Sequence, residues 1–295
     1  MAAEVVAVLG AGGTMGLPMA RNLARAGIGV RAWNRSAEKA QPLADDGVLL
    51  AQTPAQAADG AGVILTIVAD ADAVFASVEG EQGALAQPAE NTIWLQMSTI
   101  GETATQRCVE LAGERGVTFV DAPVLGTKQP AEAGELVVLA SGPQEEVQER
   151  LAAVFDAVAK KTLWAGEAGD GTLLKLVLNS WIVSVVEGAA ETIALAEGLG
   201  IDPSMLFDAV DGGPLDLGYL RVKGKAMLTR SFEPSFRLAL AAKDARLVEQ
   251  AAQRRELDLP LLSLIRERLE QGAAEHGDED ISATYLTSAR AASTR

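Results

Sequence analysis

Apolar residues along the chain keep two rhythms, and the change from one to the other divides it. In the first half, short apolar runs alternate with stretches of helical spacing. The runs Val5 to Leu9, Ile28 to Trp33, Val48 to Leu50, Val63 to Val68, Thr92 to Gln96, Val117 to Val120 and Leu136 to Ser141 read as strands. Between the first two, Leu17, Met19, Ala20, Leu23 and Ala24 recur at helix spacing. Alternating strands and helices of these lengths predict a parallel sheet covered by helices on both faces. After Gly169 the strands stop. Gly169 to Gly200 predicts one long, mostly buried helix, with Asp170 as N-cap and Gly198, Gly200 and Pro203 as its stop. Helical patterns follow at Pro203 to Val210, Leu217 to Leu228, Ala239 to Glu256, Leu261 to Gln271 and Ile281 to Ala289. The predicted organisation is an α/β domain over 1–165 and an all-α domain over 166–295, joined by the long helix.

The long helix carries one misplaced charge, Lys175, surrounded by Leu173, Leu174, Leu176, Val177 and Leu178. Lys175 and Asn179 are four residues apart, so they share a helix face and can reach one small molecule. Burying an ammonium among apolar groups costs several kcal/mol unless it is partnered, and the usual response is a lowered pKa, which makes lysine a competent proton donor and acceptor. The plainer alternative is a snorkelling lysine beside an asparagine that bonds to another helix. A helix apolar on nearly every face belongs in a core or at a contact between subunits.

The first strand ends in Gly10-Ala11-Gly12-Gly13-Thr14-Met15-Gly16, with a helix pattern immediately after. Glycines between strand and helix let the backbone approach a pyrophosphate and present it to the helix's positive end, which predicts dinucleotide binding by Gly10, Gly12, Gly13, Thr14, Met15 and Gly16. The turn holds one residue more than the usual spacing. The second strand ends in Asn34-Arg35-Ser36, where an NAD-binding chain places an acid for the ribose 2′-hydroxyl. A guanidinium there suits a 2′-phosphate, so the predicted cofactor is NADP(H). Ligands of such sheets sit at the carboxyl ends of the strands, which adds Val68, Ala69 and Asp70 with Ser98 and Thr99; for the last two a helix N-cap explains the residue types equally well. In Asp121-Ala122-Pro123-Val124-Leu125-Gly126-Thr127-Lys128-Gln129-Pro130, prolines and glycines describe a shaped loop whose amides, Thr127 and Lys128 can hold an anionic group.

Composition narrows the chemistry. The 295 residues suffice for two domains, and a formal charge of −15 argues against nucleic acid or an anionic membrane as partner. The start MAAEVVAVLG lacks a basic n-region, so no signal peptide is expected and the predicted location is cytoplasmic. One cysteine, Cys108, and one histidine, His276, make a metal site or a His-dependent nucleophile improbable; His276 reads as a solvated loop residue. Acid–base work must fall to Lys, Asp, Glu or Tyr.

Five blocks in this order resemble the β-hydroxyacid dehydrogenase family: Gly10 to Gly16, Asn34-Arg35-Ser36, Asp121-Ala122-Pro123-Val124 with Gly126, Gly169-x-Gly171 to Lys175-x-x-x-Asn179, and Lys243-Asp244. Gly126-Thr127-Lys128-Gln129-Pro130-Ala131-Glu132 is similar to the motif of the glyoxylate and succinic semialdehyde reductase branch. The resemblance implies a Rossmann domain, an all-α second domain, and oxidoreduction of a small hydroxy acid or aldehyde acid. It further implies Lys175 as general acid or base, Asn179 orienting substrate, Lys243 approaching the cofactor, and Pro123, Val124, Leu125, Gly126, Thr127 and Lys128 beside the substrate. A homodimer or homotetramer is expected, on the apolar length of the helix. One position departs: Leu125 stands where the family has a serine that helps to cradle the substrate carboxylate. A reductase of imines or uncharged carbonyls, and a non-catalytic binding protein on the same fold, are the competing readings.

Overall fold

The computed structural model describes residues 4–293, and the chain folds as two compact units that divide between Lys175 and Leu176. In the first unit six parallel strands form a sheet in the order β3-β2-β1-β4-β5-β6. They are β1 (Val5–Leu9), β2 (Gly29–Trp33), β3 (Leu49–Leu50), β4 (Val63–Thr66), β5 (Ile93–Gln96) and β6 (Thr118–Asp121). The crossovers carry α1 (Gly16–Arg25), α2 (Ala37–Ala40), α3 (Pro54–Ala58), α4 (Ala71–Val78) and α5 (Glu102–Arg115). The order reverses at β1, the arrangement of a Rossmann fold, and leaves a crevice beyond the carboxyl ends of β1 and β4. Both faces of the sheet are buried, one under Met19, Leu23 and Leu43, the other under Val74, Cys108 and Leu111. That double burial is why the strands read as continuous apolar runs rather than alternating ones.

A second sheet follows that the apolar pattern only half disclosed. The loop expected between Asp121 and Pro130 contains β7 (Val124–Leu125) and the start of α6 (Lys128–Ala133), while Asp121 closes β6. β7 pairs antiparallel with β8 (Leu136–Ala140), and β8 pairs in parallel with β9 (Ala159–Trp164) after the crossover α7 (Gln144–Val158). An Asp121–Ser141 bridge ties this sheet to the first. β9 escaped the pattern because Lys160, Lys161 and Leu163 face outward, as suits an edge strand.

The long helix α8 runs Asp170–Gly198, followed by α9 (Ser204–Val210), α10 (Gly218–Thr229), α11 (Leu238–Gln253), α12 (Pro260–His276), a 3₁₀ turn (Ile281–Thr284) and α13 (Tyr285–Ser293). In the second unit Val183, Val186 and Ile193 of α8 bury against Ala241, Ala245 and Leu269, each large aliphatic contributing roughly 1.5–3 kcal/mol. α8, expected to be mostly buried in a core or at a subunit contact, is buried along one side within the chain. A stripe through Thr172, Lys175, Leu176, Asn179, Val183 and Val186 is buried, whereas Val177, Trp181 and Leu195 on the other side are 60–64% exposed. The helix is long and apolar enough to cross a membrane, yet its buried stripe holds Lys175, Asn179 and Glu187. His276 also departs from expectation: it ends α12 and its Nδ1 lies 3.0 Å from Glu279 Oε1.

Candidate active site

The glycine turn is a backbone construction. Gly10 turns with φ +94° and its N–H donates to Trp33 O at the end of β2. A Cβ on Gly10 would lie 2.2 Å from Ile67 O, and one on Gly16 would lie 2.2 Å from Gly10 O, so any side chain would force β1, the β4 loop and α1 apart. α1 starts without a side-chain cap, with Met15 at the cap position, and Leu17 N donates back to Gly13 O of the turn. Thr14 and Gly13 are exposed on the same turn. These features fit a dinucleotide pyrophosphate.

Asn34 belongs to the turn as well. Its Oδ1 accepts from Gly12 N (3.1 Å) and its Nδ2 donates to Ser36 O (2.8 Å), so the amide straps the glycine turn to the loop carrying Arg35. Arg35 itself is exposed, free of the sheet's packing. At the next strand ends, Ser98 Oγ accepts from Val68 N (2.8 Å), and the Gln96 side chain holds both backbone groups of Ser98. Ser98 thus joins two strand ends, and neither it nor Thr99 caps a helix: Gly101 takes that position before α5. Asp70 does cap, its Oδ1 accepting from Ala73 N at 2.9 Å ahead of α4, while Ala69 lies exposed beside it. Gly10, Asn34, Val68 and Ser98 therefore all lie just beyond the carboxyl ends of their strands.

Around the substrate motif, Pro123 O accepts from Leu139 N, Val124 is buried, and Leu125 is half-buried in β7 opposite Val137. Gly126 follows, then Thr127 at the cap position of α6 with no side-chain bond to the helix, and Lys128 exposed in its first turn.

Lys175 and Asn179 lie on the buried stripe of α8, 8% and 2% exposed. In the second unit Asn179 Nδ2 donates to Asp244 Oδ2 of α11 at 2.9 Å, so the asparagine does bond to another helix. Its Oδ1 is buried without a hydrogen-bond partner, an acceptor presented for a donor. Lys243 Nζ stands 2.9 Å from Asp244 Oδ1 in ion-pair rather than hydrogen-bond geometry, so one carboxylate orients both an amide and an ammonium. Asp244's hold on Asn179 had no local signal, since the two residues are 65 apart in the chain.

The first turn of α8 is held differently from the prediction. Asp170 Oδ2 accepts from Glu167 N, preceding the helix, and the helix N–H groups go to residues far away. Asp121 Oδ2 accepts from Thr172 N (2.7 Å), Asp121 Oδ1 from Thr172 Oγ1 (2.9 Å), and Ser141 Oγ from Gly171 N (2.9 Å). Burial pushes the Asp121 carboxyl up to about 6 against the opposing pull of these donors. Cys108 is fully buried on α5 and burial pushes its thiol up to about 12, an inert residue.

Residues 5–166 match the family described as the NAD-binding domain of 6-phosphogluconate dehydrogenase, and residues 169–287 that described as NAD-binding of NADP-dependent 3-hydroxyisobutyrate dehydrogenase. Glyoxylate/succinic semialdehyde reductase 1 of Arabidopsis thaliana is 30% identical over 92% of this chain and 94% of its own. The 2-hydroxy-3-oxopropionate reductase of Escherichia coli strain K12 is 32% identical over 90% and 91%. The solved 3-hydroxyisobutyrate dehydrogenase of Mycobacterium tuberculosis with L-serine superposes at a TM-score of 0.85, with 29% identity over 97% and 99% of the two chains. The chain belongs to the β-hydroxyacid dehydrogenase family. It is an NAD(P)-dependent oxidoreductase of CH–OH groups acting on a small molecule, and the non-catalytic reading falls away.

Proposed function

We propose that the protein reduces a small aldehyde acid or oxidises the matching β-hydroxy acid with NADP(H), using Lys175 as general acid and base. The observation that carries this reading is the pairing on one buried helix stripe of an ammonium with an asparagine whose Oδ1 is unsatisfied. A bound nicotinamide supplies or accepts the hydride. In reduction Lys175 Nζ gives its proton to the carbonyl oxygen as alkoxide charge develops there, and in oxidation it takes the hydroxyl proton back. Asn179 orients the substrate beside Lys175, and Asp244, which accepts from its Nδ2, keeps that amide from rotating. Lys243, held by the same carboxylate, meets the cofactor. Thr127, Lys128 and backbone N–H groups from Val124 to Gly126, beside Pro123, hold the substrate carboxylate, and Arg35 with Ser36 takes the 2′-phosphate.

A second reading has its own observation: with Leu125 in place of the family's serine, the substrate is an uncharged carbonyl or an imine. The deciding experiment follows NADPH and NADH oxidation with glyoxylate, succinic semialdehyde, methylmalonate semialdehyde and uncharged aldehydes. Lys175→Ala is expected to lower kcat on the acids by 10³ or more while NADPH still binds; a variant of near-normal rate would sink the lysine's role. Turnover confined to uncharged carbonyls would favour the second reading. Arg35→Ala is expected to cut the preference for NADPH over NADH about tenfold or more, roughly the 1.4 kcal/mol of one charge-assisted contact. An unchanged ratio would remove the NADP assignment.

We also propose a homodimer or homotetramer, supported by the exposed apolar side of α8, Val177, Trp181 and Leu195, running on to Leu199, Ile201 and Met205. Light scattering that returned the 30.7 kDa of one chain would refute it.

A further inference from the structure

We propose that Asp121, aided by Ser141, is a positioning residue for Lys175: together they form a socket at the sheet ends that fixes the first turn of α8 and thereby the height and rotation of the lysine. The inference rests on the reading of Lys175 as the acid–base group.

The geometry is closed on every side. Asp121 and Ser141 are locked to each other by a pair of backbone bonds, Asp121 N to Ser141 O (3.1 Å) and Ser141 N to Asp121 O (2.7 Å). From that bridge the two side chains satisfy successive donors of the helix, Ser141 Oγ taking Gly171 N and Asp121 Oδ2 taking Thr172 N. Thr172 Oγ1 spends its proton on Asp121 Oδ1, which leaves it to accept from Thr105 Oγ1 of α5 at 3.2 Å. Gly171 permits the seat: a Cβ there would lie 2.3 Å from Leu139 O and 3.0 Å from Ser141 Oγ. Asp121, Ser141 and Thr172 are at most 1% exposed, so water does not compete for these bonds.

Lys175 follows Thr172 by three residues, which on a helix places it one turn along the same face. The rise between them is about 4.5 Å, and a helix is stiff over that distance. A slip of the first turn therefore moves Nζ by the same amount, and proton transfer is lost over displacements of about 1 Å. A negative oxygen at this helix end also meets the positive end of the dipole, which favours a carboxylate over a neutral acceptor. The bare helix would obtain its caps from residues nearby in the chain; this one draws them from strands 30 and 51 residues away, and that ties the lysine to the sheet.

The test measures kcat and KM for glyoxylate and succinic semialdehyde, and the NADPH dissociation constant by fluorescence, in the wild type, Asp121→Ala, Asp121→Asn, Thr172→Val, Thr172→Ser and Lys175→Ala. Thr172→Val and Asp121→Ala are expected to lower kcat at least tenfold, with KM and the NADPH constant within about threefold. Thr172→Ser, which restores the hydroxyl, should return kcat to within twofold of wild type. Should Asp121→Ala not fold, Asp121→Asn serves in its place: it keeps one acceptor for Thr172 and loses the other, and a kcat between wild type and Thr172→Val is expected. Folded Thr172→Val and Asp121→Asn proteins whose kcat stays within twofold of wild type, while Lys175→Ala is inactive, would overturn the socket alone. A Lys175→Ala protein of normal kcat would overturn the lysine's assignment instead.

Discussion

Two buried aspartates, one in each unit, collect similar sets of hydrogen bonds, yet their carboxyl pKa values shift in opposite directions. Asp121 takes two bonds from Thr172 and one from Ser141, and burial still raises its carboxyl to about 6. Asp280 takes bonds from Ser235, Phe236 and Ser282, and it too is opposed by burial. The difference is Lys223, whose Nζ lies 2.8 Å from both Asp280 oxygens, bonds Ser235 Oγ, and helps to hold the carboxyl at about 2. Neutral donors alone do not repay the desolvation of a carboxylate, whereas a buried cation at contact distance does. Asp280 accordingly reads as a structural pin joining α10 to the 3₁₀ turn, and Asp121 as a charge kept at some cost in stability for the helix it seats.

The contrast can be broken by substitution. Asp280→Asn would strand Lys223 in the core, and a loss of about 3–5 kcal/mol in unfolding free energy is expected from denaturant melts. A loss below about 1 kcal/mol would show that the lysine finds water, and the pin would be discarded. Asp121→Asn removes a buried charge that has no countercharge. At pH 7 its stability is expected within about 1 kcal/mol of wild type, on either side, because one lost hydrogen bond is set against a relieved desolvation cost.

Acid titration sharpens the same comparison with opposite signs. Asp121 has a folded pKa above that of the unfolded chain, so its contribution to stability grows as pH falls through about 6 towards 4. Asp280 has a folded pKa below the unfolded value, so its contribution is present above about 4 and is lost as pH falls towards 2. The stability difference between wild type and Asp121→Asn should therefore shift in favour of wild type between pH 7 and 4.5. A difference that stays flat over that range would mean that Asp121 is solvated or already neutral.

The parts of the site that were legible in the chain are those built from neighbouring residues. The glycine turn announces itself because Gly16 meets the backbone of nearby Gly10 and the strand and helix around it are equally local, although the contact that requires Gly10 itself, with Ile67, is remote. Asn34-Arg35-Ser36 was visible for the same reason, although the strap from Asn34 to Gly12 was not, since an amide's partner across 22 residues leaves no trace in spacing. Lys175 and Asn179 stood out as polar residues in an apolar helix. Their supports did not: Asp244 and Asp121 sit in other elements, and Asp170 offered a local cap that the fold declined. β9 was missed, and the second sheet only half disclosed through β8, because an edge strand with outward lysines has no periodic apolar face.

By itself, then, the chain determined the alternating sheet and helix order, the switch to an all-helical half, the cofactor turn and the two polar residues of the long helix. Each depends on side-chain size, period or backbone freedom within about a dozen residues, and that physics is carried by local order. Only the tertiary structure decided which oxygens seat α8, which carboxylate orients Asn179, and which of two buried aspartates receives a cation. Those outcomes turn on desolvation and on charge at contact distance, and both exist only once remote segments have been brought together.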